Sequence, residues 1–392
     1  SYMQKLYGIP KKEVDEAIKK ADSAMQNFHS ELESAAQQII DDVQASGKYA
    51  IVLASRPYQN DPLVNHGLPE LFADAGIPVL TVDSVPGIAQ VDLSKSRLDV
   101  VNNYHARLLA TSIITAEHPN LEYVQFVSFG CGHDAYLSDE IIRMMKEISG
   151  KSPLVLKMDE SDVQGPLRIR VRSFIETISM KYSAKTELKA RDLQDPYKVK
   201  FNKKDVHEKI VLVPNTSHAF ARIMAASLST QHIKAIPMDI GREDAIRLGK
   251  KYVHNDICFP AQIVIGEALA ALESGLYDPH NVAIATGKDI GDCRLTHYGA
   301  LLRKALDDAG YPYVPIVTNN DRDYHNLHPG FRMNIATSLK LAIAFPMIDA
   351  MEELLRKIRP YELEPGSANA AFEQGIDAIM DGLERRGSHG AV

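Results

Sequence analysis

The sequence predicts an α/β protein of two doubly wound parallel-sheet domains, Rossmann- or flavodoxin-like, with extra helices at both ends. Three observations predict it. Short apolar runs alternate with helical stretches along the chain. Those runs are mostly apolar, as strands covered on both faces are. The pattern also restarts after a polar connector: "IVLASRP" from Ile51 matches "IVLVPNT" from Ile210, an offset of 159.

The elements follow in order. Residues 10–44 place apolar side chains at three- and four-residue steps, which predicts an amphipathic leader helix packed on a domain. "YAIVLA" (49–54) reads as a strand, 65–75 as a helix and "IPVLTV" (77–82) as the next strand. A helix over 97–116 leads to the strand "YVQFVSF" (123–129), then a helix over 136–148 and the strand "PLVLKM" (153–158). The polar stretch 183–208 reads as a connector. Strands "KIVLVP" (209–214), "IKAIPM" (233–238), "NVAIAT" (281–286) and "YVPIVT" (313–318) then alternate with helices, and helices over 334–357 and 369–385 close the chain before a frayed tail. The division expected is a leader (1–46), a first domain (47–190), a connector (191–208) and a second domain with C-terminal helices (209–392).

The chain has 392 residues and a formal net charge of −7, which argues against a broad nucleic-acid footprint. No apolar run is long enough for a membrane span, and no signal peptide is read, so the expectation is a cytoplasmic protein. Three cysteines, with no pair in CxxC spacing, argue against a disulfide framework. Spacing alone provides no metal motif. Cys131, in "VSFGCGHDAYLSDE", lies just past a strand, and Cys293 lies in the glycine-rich loop "GKDIGDC" past another. In open α/β sheets that edge binds ligands. Cys258, in "NDICFP", or Asp256 could cap a helix with Pro260 near its first position, and the helix dipole there favours a thiolate. Gly130, Gly132 and Gly291 would let backbone approach a bulky group. Three thiolates from separate loops suit a soft metal or an iron–sulfur cluster; three buried free thiols acting as small hydrophobes is the plainer alternative.

The same segments carry a resemblance. "RPYQNDPLVNHGLPELFADAGIPVLTVDSVP" (56–86), "FVSFGCGHDA" (126–135), "RIRVRSF" (168–174), "KYVHNDICFPAQIVIGEAL" (251–269) and "GDCRLTHYGALLRKAL" (291–306) resemble the acyl-CoA dehydratase activase-related family. The likeness is to the part that follows its activator-type ATPase modules, itself similar to 2-hydroxyacyl-CoA dehydratase subunits and double-cubane cluster proteins. It spans roughly residues 8–320, and without a phosphate loop the chain is expected to be a fragment or stand-alone version of the cluster-bearing half. The resemblance implies a low-potential 4Fe-4S cluster between α/β domains. The cluster would accept an electron from an ATP-dependent activator and reduce or dehydrate a small-molecule or acyl-CoA substrate, in the manner of a lyase or oxidoreductase of anaerobic metabolism. Cys131, Cys258 and Cys293 become the metal-ligand candidates. Three thiolates are too few for a double cubane, so either one cubane is held or ligands are pooled in a homodimer. Two alternatives stand beside it: a non-catalytic electron relay or assembly module, and a small-ligand or zinc-binding domain without a cluster.

Other polar groups join the candidate site. Arg56 could bind an anion or an anionic cluster, Tyr58 could donate a hydrogen bond and His66 could transfer protons. A structural turn around Asp61-Pro62 explains the same residues without function. His133 and His297 lie near cysteines and either hydrogen-bond sulfur, deliver protons or merely cap helices. A second internal match, "VVNNYHA" with "YVHNDICF", sets His105 opposite Cys258 and makes it a candidate fourth ligand or proton donor. Arg168, Arg170 and Arg172 alternate; a strand would align them toward an acidic partner, a helix would scatter them into solvent.

Overall fold

The computed structural model describes residues 2–100, 102–128, 130–158, 164–184, 190–238, 243–288, 291, 293–319 and 325–388. Phe129 of the predicted third strand, 185–189 of the connector, 289, 290 and 292 of the "GKDIGDC" loop and 389–392 of the tail lie outside the described residues. The chain forms two compact units. Unit 1 contains residues 1–93 and 102–194, and unit 2 contains residues 94–101 and 195–392.

Unit 1 opens with a short helix, Tyr2–Tyr7, followed by a long one, α1 (Lys11–Ser46), ended by Gly47 in the left-handed conformation that glycine tolerates. Only its C-terminal third packs, through Ala36, Ile40 and Val43, while residues 15–31 are exposed. The leader is therefore helical as expected but docked over a fraction of its length. Next come β1 (Ala50–Ala54), α2 (Leu68–Ala73), β2 (Val79–Thr81), α3 (Asn103–Glu117), β3 (Leu121–Ser128), α4 (Gly132–Ser149), β4 (Leu154–Met158) and α5 (Gln164–Ser183). The sheet is all parallel in the order β2-β1-β3-β4. Every residue of β1 is buried, which requires cover on both faces. On one face Ile51, Leu53, Val124 and Phe126 pack with Phe72 and with Leu167, Val171 and Ile178 of α5.

Two helix starts differ from the sequence reading. α3 begins six residues later than 97, because the Asn102 side chain accepts the Tyr104 N–H at 2.8 Å and caps it there. Leu98 is buried in unit 2 instead. α4 begins four residues earlier than 136, since Gly130 turns the chain at φ +68° and Cys131 already holds the N-cap position. "RIRVRSF" is helical, within α5, and Arg168, Arg170 and Arg172 are all exposed, as the solvated reading expects.

Unit 2 contains β5 (Ile210–Val213), α6 (His218–Ser229), β6 (Ala235–Pro237), α7 (Glu243–Tyr252), α8 (Phe259–Glu273), β7 (Val282–Thr286), α9 (Tyr298–Asp308) and β8 (Ile316–Thr318). Its sheet, β6-β5-β7-β8, is again all parallel and repeats the order of the first. This agreement is what an internal duplication expects. α7 and α8 meet backbone to backbone. A Cβ at Gly266 would stand 1.7 Å from the Ala245 carbonyl oxygen, and one at Gly249 would stand 2.0 Å from that of Gln262. The closing helices α10 (Ile335–Ile358) and α11 (Ser367–Ser388) pack on α6 through Ala219, Ile223, Leu341, Ala344, Ile348 and Ile376. Arg222 ties α6 to Glu373 at 2.6 Å and to Asp377. Among the described residues, no helix is long and apolar enough to cross a membrane.

In each sheet the chain goes from its first strand outward to the second, then crosses back past the first to the third. The carboxyl ends of β1 and β3, and of β5 and β7, therefore flank a switch point, where open α/β sheets bind ligands.

Candidate functional site

In unit 1 the switch point gathers residues from both strands. Arg56 lies two positions past β1, and its turn is fixed by the Gln59 side chain, which accepts the Arg56 backbone N–H at 2.8 Å. Gln59 in turn donates to the Ser128 hydroxyl at 3.2 Å, linking the ends of β1 and β3. The Arg56 guanidinium forms a two-pronged ion pair with Asp134 of α4, at 2.5 and 3.2 Å. One of its N–H groups also points at Cys131 Sγ from 3.9 Å. Asp134 accepts a third bond, from the Ser128 backbone N–H at 2.9 Å. Burial opposes the Arg56 charge, but Asp134 outweighs it, with Tyr58 and Cys131 adding, so the guanidinium is held above its ordinary range. Arg56 is thus a fixed cation beside the Cys131 sulfur. Tyr58 is 57% exposed and favours the charged Arg56.

His105 and His133 come together. Their rings lie 5.5 Å apart, and Tyr136 packs edge-on to both. His133 Nδ1 is hydrogen-bonded to the Tyr136 hydroxyl. His105, third residue of α3, is buried. Its helix leads into the third strand of unit 1 as α8 leads into the third strand of unit 2, so the topology sets His105 near the place Cys258 takes. His66 ends the turn Pro62–Asn65 in the left-handed region at φ +53°, an unusual backbone for a residue with a side chain.

In unit 2, Cys258 is the N-cap of α8, with Pro260 in its first turn. Cys293 caps the turn Arg294–His297 that runs into α9. The Cys258 sulfur lies 3.1 Å from the Tyr298 hydroxyl. Burial pushes the Tyr298 phenol well above its ordinary range, Cys258 and Cys293 push it further, and Arg294 opposes them. The phenol therefore stays protonated, and either it or the Cys258 thiol can be the donor in their contact. His297 is buried, and the Gly291 carbonyl accepts the Thr296 hydroxyl at 2.8 Å, which pins the loop before Cys293.

All three cysteines hold N-cap positions, where Ser, Thr, Asp or Asn is the ordinary choice, and none spends its side chain on a capping bond. Cys131 and Cys258 are half-buried, and Cys293 is exposed. Gly130 has open space where a Cβ would be, so its role is the left-handed turn; Gly132 is the first residue of α4. Asp134, Tyr136, Gln59 and Tyr298 were not singled out from sequence. Asp134 and Tyr136 carried a local signal, one helical turn past Cys131 and His133. Tyr298 carried none, because its sulfur partner is 40 residues away.

An iron–sulfur cubane is held by up to four thiolates. Cys258 and Cys293, sharing Tyr298, fit the donor chemistry of part of such a set. Among the described residues, no group of three or more His, Cys, Asp or Glu side chains stands ready to hold a metal ion.

Fold and sites define a two-unit α/β protein with thiols at helix starts along its strand ends. Residues 1–85 match the family model described as the CoA enzyme activase uncharacterised domain. The match supports an activase-related family; it spans α1, β1, the Arg56 turn and β2, and ends before the first cysteine. Neither the curated proteins nor the solved structures include a match to the chain.

Proposed function

We propose that the chain is the cluster-bearing part of an activase-related protein. In this reading it binds an iron–sulfur cluster through cysteine thiolates, Cys258 and Cys293 first among them and Cys131 the third candidate. The observation that carries the reading is the placement of all three cysteines at helix caps with their sulfurs unspent on capping. Two of these sulfurs face groups suited to an electron-rich sulfur: a guanidinium at Cys131 and a phenol at Cys258. The chemistry such a cluster supplies when bound is one-electron transfer at low potential. Arg56, clamped by Asp134, would offset negative charge near Cys131. His133 and His105 would hold protons near the same strand ends, with Tyr136 fixing the orientation of His133.

The electron donor in this reading is an ATP-dependent activator, which the activase-related match supports as a kind of partner. The exposure of Cys293 favours an electron relay over a catalyst enclosed with its substrate. The test is anaerobic purification and reconstitution, with iron and sulfide counted per chain and the reduced protein examined by EPR. One cluster per chain, lost in Cys258→Ser and Cys293→Ser, is the expected result. Iron far below that stoichiometry after reconstitution would overturn the reading, and unchanged iron in Cys131→Ser would remove Cys131 from the ligand set.

A further inference from the structure

The closing hairpin of unit 2 is packed on one side and bare on the other. Leu341, Ala344 and Ile348 of α10 turn toward α6, where they join Ala219, Ile223 and Ile376. On the side turned away from α6, Ile335, Leu339, Ile343, Leu354 and Ile358 are each more than half exposed. From Leu341 to Ile348 the helix carries no charged side chain in any direction. A helix apolar all round is ordinarily a buried one. On the bare side lies a groove of about 260 Å³, walled by Ile343 and Met347 of α10 and by Ala378, Ile379, Gly382 and Leu383 of α11. Lys340 also lines it, with its ammonium donating to the Leu383 carbonyl at 2.9 Å. Ala378 and Gly382 are small and exposed, which leaves room for an incoming side chain.

We propose that this face binds a second copy of the chain, hairpin to hairpin. The face is self-complementary. It carries raised side chains, Ile335 and Leu339, and the groove begins one turn further along the same helix. A two-fold axis seats the raised side chains of each copy at the groove of the other. With the helices antiparallel and Ile343 near the axis, Leu339 of each copy meets Met347 of the other. The stretch laid across the axis is uncharged, so the pairing brings no like charges together there. Two hairpins joined in this way complete a four-helix bundle with apolar inner faces. The exposed apolar residues run from Ile335 to Ile358, about 35 Å of helix. That length can bury the roughly 800 Å² per partner of a stable interface. α10 and α11 contain no cysteine, so the inference stands apart from the cluster reading.

The experiment uses the full chain. Particle mass is measured by light scattering and sedimentation across the micromolar range for wild type, Ile343→Glu and Leu339→Glu, with helical content checked by circular dichroism. In parallel, chains carrying photoreactive benzoylphenylalanine at position 339 are mixed in equal amounts, one preparation isotope-labelled and one not. After irradiation, the crosslinked peptides that join the two preparations are mapped. The expected result is two chains per particle in wild type, one in both glutamate variants at unchanged helical content, and mixed-label crosslinks from position 339 into α10 or α11. A wild type of one chain per particle overturns the proposal. A folded glutamate variant that stays dimeric overturns it as well. So do mixed-label crosslinks that miss the hairpin, including crosslinks to α1, which would make the exposed helix of another copy the occupant. If the glutamate variants do not fold, the crosslink map decides alone.

Discussion

At the residue scale, the strongest local demands come from buried charges. Lys151 is 2% exposed, and its ammonium donates to the carbonyls of Thr115, His118 and Leu121 at 2.9, 2.5 and 2.7 Å. Burial pushes its pKa down to about 8, which leaves it charged at neutral pH and able to serve all three acceptors. Lys151→Met should cost about 2–4 kcal/mol in urea unfolding, because carbonyls at the end of α3 lose their donor while staying buried. Asp134→Asn should cost about 3 kcal/mol, since Arg56 would keep a buried charge without its counter-charge. A double-mutant cycle with Arg56→Met checks it: the two losses should be far from additive. Sequence exposed Arg56 and Cys131 as candidates because both sit at strand ends with polar neighbours. It could not show that Arg56 meets Cys131 and pairs with Asp134, since these partners lie 75 and 78 positions further along the chain.

At the element scale, the helix pair α7–α8 decides where Cys258 stands. The two backbones touch at Gly249 and Gly266, and a methyl group at Gly266 would lie 1.7 Å from the Ala245 oxygen. Gly266→Ala must force the helices apart and should lower stability by about 2 kcal/mol or more. Reduced labelling protection at Cys258, relative to Cys131, would report that the displacement reaches the start of α8. The last helix has a pH-dependent start. Glu362 accepts the N–H groups of Gly366 and Ala368, and these bonds hold its carboxyl below the ordinary glutamate range. A depressed carboxyl contributes stability above its unfolded pKa and loses it as pH falls through the folded value. Amide protection near the start of α11, taken relative to the intrinsic exchange rate at each pH, should therefore fall as pH is taken below the ordinary glutamate range, and Glu362→Gln should show the lower protection already at neutral pH. The cap positions of α3 and α4 show why boundaries were less legible than elements. Periodicity marks where a helix is apolar, whereas Asn102 and Cys131 mark where it begins.

At the scale of the whole molecule, the two parallel sheets were legible because their strands are mostly apolar and recur in the same order at similar spacings. The extent of packing was not. The apolar residues Val14, Ile18, Ala21, Met25, Phe28 and Leu32 of α1 follow a regular four–three spacing, yet Ile18, Met25 and Phe28 are more than half exposed. An amphipathic pattern states that a helix has an apolar face, not that the same chain covers it. Met25→Glu and Phe28→Glu should each change unfolding free energy by no more than about 0.5 kcal/mol. Ile40→Ala, in the packed third of the same helix, should cost about 2–4 kcal/mol. Equal losses at the three positions would show that the exposed part is packed in solution.

The strand order has a consequence for the protein's synthesis. β1 pairs with β2 and with β3, and the second pairing joins Ala50 to Leu121. At roughly 5–20 residues per second, a ribosome needs several seconds to travel that distance. For that interval a fully apolar strand is outside the ribosome with one hydrogen-bonding edge unfilled. The second sheet repeats the arrangement, from Ile210 to Val282. Each nascent chain thus passes twice through a period when its stickiest segment is finished and its partner is not yet made.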